Sequence, residues 1–179
     1  MSRWVALLLA AILALAVGCA GPQAPPSVAV SSVDLDRYLG RWYEIASFPA
    51  WFQEGCTCTT AQYTRHEDEL VVVNACREGS PEGEPRKAQA RAWVVAGSGG
   101  GRLKVQFQWP FTGDYWIIGL DPSYRWAVVG TPDRDYLWIL SRTPRLDSAQ
   151  YQKAVQIAKR KEWPVQRLRQ TLQDCAWGR

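Results

Sequence analysis

The most reactive side chains of this sequence belong to five cysteines and a single histidine. They fit a zinc site poorly, because only one residue separates Cys56 from Cys58 and His66 lies in a charged turn. Residues two apart on a strand share one face, so Cys56 and Cys58 do not readily bond to each other. With Cys76 and Cys175 they make an even number beyond the N-terminal segment, which predicts an oxidising compartment and two disulfides.

The N-terminal segment has the pattern of an export signal that ends at the fifth cysteine. Residues 1–18 carry one charge, on Arg3, followed by an apolar run that is too short for a comfortable membrane span. Small residues stand directly before Cys19 in LAVGC, which resembles the cleavage and lipidation site of bacterial lipoproteins. We therefore predict a lipoprotein signal peptide at 1–18 and a lipidated Cys19. A plain signal peptide with an incidental cysteine is the alternative.

The residues after Cys19 are small and include prolines, as in a disordered tether. We place this flexible tether at 19–32 and a single domain at 33–179. Ala20 is not aspartate, so by resemblance to enterobacterial sorting we expect the outer membrane as destination, with the domain facing the periplasm. Several acyl chains, each contributing about 0.8 kcal/mol per buried methylene, would anchor the protein stably.

Charge and residue types exclude or weaken several functions. The formal net charge is +4, and loss of residues 1–18 removes one of these positive charges, which leaves too weak a charge for a nucleic-acid partner. No serine or cysteine nucleophile stands beside a histidine, and paired inward carboxylates are not evident, so an enzyme is only a minor alternative. We expect neither a metal nor a cofactor.

Between residues 41 and 141 the sequence alternates strand candidates with turn residues. Eight strands are predicted, at 41–48, 57–65, 69–76, 88–96, 102–109, 114–120, 124–130 and 135–142. Their connections are too short for helical crossovers, so the sheet is antiparallel and meandering. Apolar and polar residues alternate in LKVQFQW, residues 103–109, which indicates one apolar face. A closed barrel is favoured over a sandwich, because a sandwich needs long crossing connections.

One amphipathic helix follows the strands. Apolar side chains recur at helical spacing in SAQYQKAVQIAKRKEW, Asp147 is a candidate N-cap with Gln150 three residues on, and Pro164 ends the pattern. The apolar stripe is narrow, which favours packing on the sheet over binding to a membrane surface. The predicted fold is therefore all-β: an eight-stranded antiparallel up-and-down β-barrel with one C-terminal α-helix packed on the outside.

Three stretches resemble, in order, the conserved blocks of the lipocalin family. They are YLGRWYEIASFPAWFQ at 38–53, DPSYRWAVV at 121–129 and PDRDYLWILSRTP at 132–144. The resemblance is most specific for bacterial outer-membrane lipoproteins of the family, with plant temperature-induced lipocalins and apolipoprotein D as relatives. It implies a barrel that Trp42 closes at one end, with the Arg142 guanidinium packed across the indole.

The resemblance also implies how the cysteines pair. Cys58 precedes Tyr63 by the same spacing as the apolipoprotein D cysteine that bonds to the C-terminal segment, which implies Cys58 with Cys175. Cys56 with Cys76 would then join the second and third strands. Each disulfide would contribute on the order of 2 to 4 kcal/mol to stability.

Strand parity, counted from Trp42 and Arg142, assigns the side chains that face the lumen. It sends Glu44, Ala46 and Phe48 inwards on the first strand. The predicted ligand-binding residues are Trp138, Tyr136, Tyr115, Phe107, Trp109, Phe48 and Trp51. The alternative for the strand residues among them is that they only fill the core. We expect Trp138 and Tyr115 to lie well above Trp42, the structural plug of the barrel.

Aromatic residues also follow the first strand, where lipocalins have a connection that folds over the open mouth. Trp51 and Phe52 would form a lid or rim there, or a surface for membrane contact. A lumen with few charges suits an apolar chain with one polar end. The resemblance narrows the expected partner to a fatty acid or a lysophospholipid.

The leading hypothesis is a lipid-anchored carrier that stores or transports such lipids in the cell envelope. A structural envelope protein with a wholly filled barrel is the second hypothesis, because ten tryptophans could fill the interior. A lipocalin-fold enzyme is the third, and Glu44 is the inward acid of interest for it. A homodimer paired through barrel edges stays open.

Overall fold

Turn residues divide residues 28–175, which the computed structural model describes, into nine strands and two α-helices. The strands are β1 Gly40–Ser47, β2 Cys56–His66, β3 Glu69–Glu78, β4 Pro85–Val94, β5 Arg102–Gln108, β6 Phe111–Leu120, β7 Trp126–Gly130, β8 Leu137–Ser141 and β9 Arg169–Gln170. The helices are α1 Leu35–Tyr38 and α2 Ser148–Arg160, and 3-10 turns occupy Trp51–Gln53 and Val165–Arg167. The predicted signal peptide and Cys19 lie outside the described residues.

Eight of the strands form a closed barrel. Each strand from β2 to β7 pairs antiparallel with the next, and β8 pairs with β1. Residues 40–43 of β1 pair in turn with residues 60–63 of β2, which closes the sheet. The predicted up-and-down barrel is therefore confirmed.

Alternation along the strands separates two apolar clusters. The inner cluster fills the closed half of the barrel and includes Trp42, Tyr63, Leu103, Ile117 and Val129. The outer cluster lies between the barrel wall and α2 and includes Ala46, Ile118, Val128, Ile139 and Ala154. Consecutive residues such as Ile117 and Ile118 belong to different clusters, as the period of a strand requires.

The helix α2 packs on the outer wall of the barrel, as predicted. Asp147 caps it, because its carboxylate accepts a hydrogen bond from the Gln150 N–H at 2.9 Å. Ala154 is fully buried, and its small side chain allows close approach to the wall. A Cβ built on Gly119 would stand 2.9 Å from Ile157 of the helix, so the wall also needs a small residue at this contact.

A β-bulge in β1 overturns part of the predicted lumen. The register between β1 and β8 shifts between Glu44 and Ala46, which changes the face of every later residue of β1 relative to simple alternation. Ala46 and Phe48 are consequently buried in the outer cluster. The Arg167 guanidinium lies over the Phe48 ring at 4.7 Å from its centroid. The prediction that Phe48 lines the lumen is therefore wrong.

The end of the predicted tether is part of the folded domain. The Val30 N–H donates to the Ile117 carbonyl at 2.8 Å, and the Lys161 ammonium donates to the Val28 carbonyl at 2.5 Å. A Cβ on Gly101 would collide with the Val30 carbonyl oxygen, so a glycine lets this segment lie against the loop before β5. Residues 28–32 of the predicted tether therefore pack on the barrel.

Arg142 joins the segments that meet at the closed end. Its guanidinium carbon lies 3.8 Å from the ring centroid of Trp42, which is fully buried. The guanidinium also donates hydrogen bonds to the carbonyls of Arg37, Leu39 and Arg41, at 2.6 to 3.0 Å. Carbonyls at the end of a short helix lack intrahelical partners, so the guanidinium supplies donors that α1 cannot.

We expect Trp42→Ala to lower the melting temperature strongly. Truncation of a buried tryptophan leaves a cavity and typically costs about 3 to 5 kcal/mol. Thermal unfolding followed by circular dichroism measures the effect. Trp109→Ala is the matched control, because that indole is 81% exposed and surface substitutions change stability by about 0.5 kcal/mol or less. Equal melting temperatures for the two variants would contradict the role of Trp42.

Candidate functional site

The barrel has a closed end and an open end. The α1 helix, Arg142 and the turn between β2 and β3 lie at the closed end. Because the strands are antiparallel, the other set of loops meets at the opposite end, which we call the mouth. The mouth loops are residues 48–55, 79–84, 109–110 and 131–136.

Three tyrosines form the floor of the lumen. The Tyr115 hydroxyl is hydrogen-bonded to those of Tyr38 and Tyr63, at 2.8 and 2.9 Å. The Tyr38 ring lies against Trp42 with the ring centroids 4.8 Å apart, so the cluster stands directly above the closed end. Burial raises the pKa of Tyr63 to about 12 and raises the pKa values of Tyr38 and Tyr115 well above the ordinary value. The floor is therefore polar but uncharged at neutral pH.

Inward side chains above this floor are only partly buried. Val105 and Trp138 pack against the inner cluster, yet both keep an intermediate exposed fraction. Trp42 and Tyr38, below them, are almost completely inaccessible. The Val105 and Trp138 side chains point into the barrel and are nevertheless accessible to solvent. Each of them must therefore lie next to a space that its neighbours do not fill. The upper lumen is such a space.

Tyr136 and Trp138 form an aromatic pair in the mouth. Their rings are nearly parallel, with centroids 5.8 Å apart. The Trp138 indole N–H donates to the Gln53 side-chain oxygen at 3.0 Å, and the Phe52 ring lies 5.4 Å from Tyr136. The loop after β1, in which the sequence predicted a lid or rim, thus contacts β8 through Gln53 and the residue before β8 through Phe52.

The remaining predicted binding residues differ in height along the barrel. Trp51, Phe107 and Trp109 are 80%, 53% and 81% exposed, and they lie at the rim of the mouth. Tyr115 lies at the floor, next to the closed end, and not well above the plug as expected. Phe48 lies outside the lumen. Strand parity predicts the face of the sheet on which a side chain lies. It does not predict the height of that side chain along the barrel axis, because this height depends on the stagger between strands.

The C-terminal segment completes the barrel wall. The β1 and β2 strands pair only through residues 40–43 of β1, and residues 169–175 occupy the gap above this pairing. On one side β9 pairs with the upper part of β1. On the other side the Cys58 N–H donates to the Leu172 carbonyl at 2.7 Å, and a disulfide links Cys58 to Cys175. Cys175 was the only sequence signal for this contact.

The two disulfides have the pairing that the resemblance implied. Cys56–Cys76 connects β2 to β3 with the Cα atoms 5.5 Å apart. Cys58–Cys175 spans 117 residues with the Cα atoms 6.0 Å apart. A crosslink over such a loop contributes on the order of 4 to 5 kcal/mol in the chain-entropy model, so it fastens the C-terminal segment firmly.

Glu44 connects three parts of the mouth. Its side chain points inwards and the residue is only 5% exposed. The carboxylate accepts hydrogen bonds from Ser47 Oγ at 2.9 Å, Gln53 Nε2 at 2.7 Å and Thr171 Oγ1 at 2.5 Å. These donors belong to β1, the loop after β1 and the C-terminal segment. One carboxylate thus holds the segments around the mouth, and all three of its donors are neutral.

A cavity of about 580 Å³ opens beside this carboxylate. Its lining comes from the upper part of β1, the loop after β1, the start of β2 and the C-terminal segment, and includes Glu44, Ser47, Trp51, Thr59 and Arg169. The Thr59 hydroxyl is buried and has no hydrogen-bond partner within residues 28–175. The cavity therefore joins apolar and polar groups at the mouth.

Two kinds of element do not occur within residues 28–175. No helix there is long and apolar enough to cross a membrane. No three His, Cys, Asp or Glu side chains of this part of the chain stand together as a metal site would require. Glu44 therefore belongs to no such group.

Comparison with known proteins assigns the family. Residues 33–173 match the model of a lipocalin-like domain. The chain belongs to the lipocalin family. This lipocalin is 41% identical to outer membrane lipoprotein Blc of Citrobacter freundii over 157 residues, which cover 86% of this chain and 88% of that protein. It is 38% identical to temperature-induced lipocalin-1 of Arabidopsis thaliana, over 81% of this chain and 82% of that protein.

Solved structures have the same fold as this lipocalin. Insecticyanin from the tobacco hornworm Manduca sexta gives a TM-score of 0.67 at 18% identity, over 83% of this chain and 85% of that one. Lobster apocrustacyanin A1 gives 0.65 at 16% identity, over 86% and 95%. At these identities the likeness concerns the fold alone, and it agrees with the closed barrel and external helix.

The tyrosine floor of this lipocalin predicts lower stability at alkaline pH. Tyr63 has a folded-state pKa of about 12 because of its burial, whereas a tyrosine in an unfolded chain ionises near pH 10. A folded-state pKa above the unfolded one leaves the free energy of unfolding unchanged below about pH 10 and reduces it as pH rises through 12. Urea unfolding between about pH 8 and pH 12 should record this decrease.

Two hydroxyl deletions separate this effect from general alkaline damage. Tyr63→Phe removes one titrating group and should make the decrease shallower. Tyr136→Phe removes a hydroxyl outside the floor and should keep the parent's dependence on pH. A decrease as steep in Tyr63→Phe as in the parent would show that the floor is not its source.

Proposed function

We propose that this lipocalin is a lipid-anchored carrier that binds a fatty acid or a lysophospholipid inside its barrel, for storage or transport in the cell envelope. The observation that carries the proposal is the partial exposure of Val105 and Trp138, which point inwards above a filled floor. An unfilled lumen above a closed end leaves room for a ligand, whereas a packed core leaves none.

The chemistry of the lumen fits a single acyl chain. An eight-stranded barrel has room for one small ligand, which favours one chain over the two of a complete phospholipid. Between floor and mouth the inward side chains that border the space, such as Val105 and Trp138, are mainly aliphatic and aromatic. An acyl chain leaves no donor or acceptor unpaired there, whereas a polar ligand would.

The polar groups at the mouth suit the polar end of such a lipid. Glu44, Gln53 and Thr171 are joined by hydrogen bonds at this end, and Arg169 lines the cavity beside them. A head group placed here stays close to water while the chain is buried. The carrier function needs no catalytic group.

The N-terminus and the relatives support a place in the outer membrane. The similar proteins of Citrobacter freundii, Escherichia coli and Vibrio cholerae are all named outer membrane lipoproteins. In this chain LAVGC ends at Cys19, the first residue of the predicted tether. We infer that Cys19 carries the lipid anchor after residues 1–18 are removed, and that the barrel faces the periplasm.

Binding of oleate tests the carrier function. Isothermal titration calorimetry of the delipidated protein should give one site per barrel, and Trp138→Ala should raise the dissociation constant about tenfold, or about 1.4 kcal/mol. The reason is loss of an indole that borders the lumen and stacks on Tyr136. Trp93→Ala is the matched control, because Trp93 alternates with the inward Ala92 and therefore faces outwards.

The two variants also separate a carrier from a barrel that is wholly filled. A carrier binds oleate, releases copurified lipid on organic extraction, and loses affinity only with the Trp138 substitution. Absence of any heat of binding, together with absence of extractable lipid, would favour the structural envelope protein. Equal effects of the two substitutions would mean that the lumen is not the binding site.

Substitution of the lipidation cysteine tests the anchor. In a Gram-negative host, we expect Cys19→Ser to move the protein from the outer-membrane fraction to the soluble periplasmic fraction, because the acyl chains supply the anchoring energy. Mass spectrometry of the N-terminal peptide should find an acylated Cys19 in the parent. Cys175→Ser changes a cysteine of the folded domain and should leave the protein in the membrane fraction. An unmodified Cys19 in the parent would contradict the proposal.

A further inference from the structure

We propose that the mouth of this barrel recognises the primary ammonium group of a zwitterionic lysophospholipid through the Glu44 carboxylate. This inference rests on the proposed carrier function and narrows its ligand to an ethanolamine-type head group. Three observations support it: a buried carboxylate without a cation, a cavity next to that carboxylate, and a guanidinium in the lining of the same cavity.

Within residues 28–175 the Glu44 carboxylate has no partner of opposite charge. An ionised carboxylate has about four acceptor positions. Ser47 and Thr171 donate to Oε1 of Glu44 and Gln53 donates to Oε2, so residues 28–175 leave one acceptor position on Oε2 unused. None of the ion pairs within residues 28–175 includes Glu44. Buried charges are normally paired, so a cationic ligand group would supply what this site lacks.

The carboxylate faces space that a head group can occupy. Glu44, Ser47, Trp51 and Arg169 all line the cavity of about 580 Å³. Ser47 pairs across the ladder with Trp138, which points into the lumen, so Ser47 lies on the inward face as well. The cavity therefore adjoins the space in which the acyl chain would lie.

Arg169 places a positive charge on the same face. It stands opposite Ser47 in the β1–β9 ladder, and directly opposed residues of an antiparallel pair emerge on one side of the sheet. Its Nη1 donates to the carbonyls of Gln166 and Leu168. The rest of its five N–H donors have no acceptor within the part of the chain that the structure describes, and a guanidinium binds phosphate through charge-assisted hydrogen bonds.

The two charges together identify the head group. A phosphate beside Arg169 and a cation beside Glu44 make a zwitterion with its negative part attached to the lipid. The open acceptor on Glu44 requires an N–H donor, which favours a primary ammonium over a quaternary one. The Trp51 indole lines the same cavity and offers an aromatic face, which attracts cations. A free fatty acid carries no cationic group that could pair with Glu44.

A pair of lysolipids that differ in this one group tests the proposal. Oleoyl lysophosphatidylethanolamine and oleoyl lysophosphatidylglycerol share chain and phosphate, but only the first carries an ammonium. Calorimetry with the mature protein, below the critical micelle concentrations, should show the first binding about tenfold more tightly. Glu44→Gln should bring the two affinities together by weakening the first alone. Glu82→Gln removes an exposed acid in another mouth loop and should keep the tenfold ratio.

A second variant keeps the test decisive if Glu44→Gln does not fold. Arg169→Gln should weaken both lysolipids by a similar factor and leave monoolein, which has no phosphate, unchanged. Equal binding of the two lysolipids by the parent would overturn the proposal. So would an equal loss for both in a folded Glu44→Gln protein, which would restrict Glu44 to holding the mouth together. Failure of the parent to bind oleate or either lysolipid would overturn the carrier function itself.

Discussion

The interior width of an eight-stranded barrel is the constraint on which this protein depends. Such a barrel is wide enough either to be filled by its own side chains or to hold one small ligand, so the placement of large residues along its axis decides between the two. Trp42, Tyr38 and Tyr63 fill the closed half. Nearer the mouth, inward positions carry small residues, such as Ala88 on β4 and Gly113 on β6. Both of these residues are exposed. Side chains therefore fill the interior only up to the tyrosine floor, and the lumen begins there.

The barrel closes where β1 meets β2, and it closes there in two different ways. At the closed end β1 and β2 pair directly, and the Arg142 guanidinium binds the adjoining carbonyls. Towards the mouth the two strands diverge, and the C-terminal segment fills the gap through β9, the Cys58–Cys175 disulfide and the Glu44 carboxylate. The part of the barrel wall beside the cavity is thus the least regular part of that wall. A binding surface can vary there without loss of the ladder that closes the barrel.

The sequence predicted what depends on local pattern. Turn residues and period-two alternation gave the strands and the closed barrel, and Asp147 gave the start of the helix. Where an extra residue interrupts the pattern, parity fails, and Phe48 therefore points away from the lumen. The height of Tyr115 was missed because it depends on strand stagger. The C-terminal segment was missed because two paired residues show no period, and only Cys175 marked its partner.

The distribution of charge along the lumen favours one orientation of a single-chain lipid. The floor presents three neutral hydroxyls that already bond to one another, and the Arg142 guanidinium lies on the far side of the Trp42 indole from the lumen. A charged head group would therefore find no counter-charge at the floor and would lose its hydration there. At the mouth the Glu44 carboxylate and the Arg169 guanidinium line one cavity. The chain would enter first and the head group would stay at the mouth, because only this end compensates its charges.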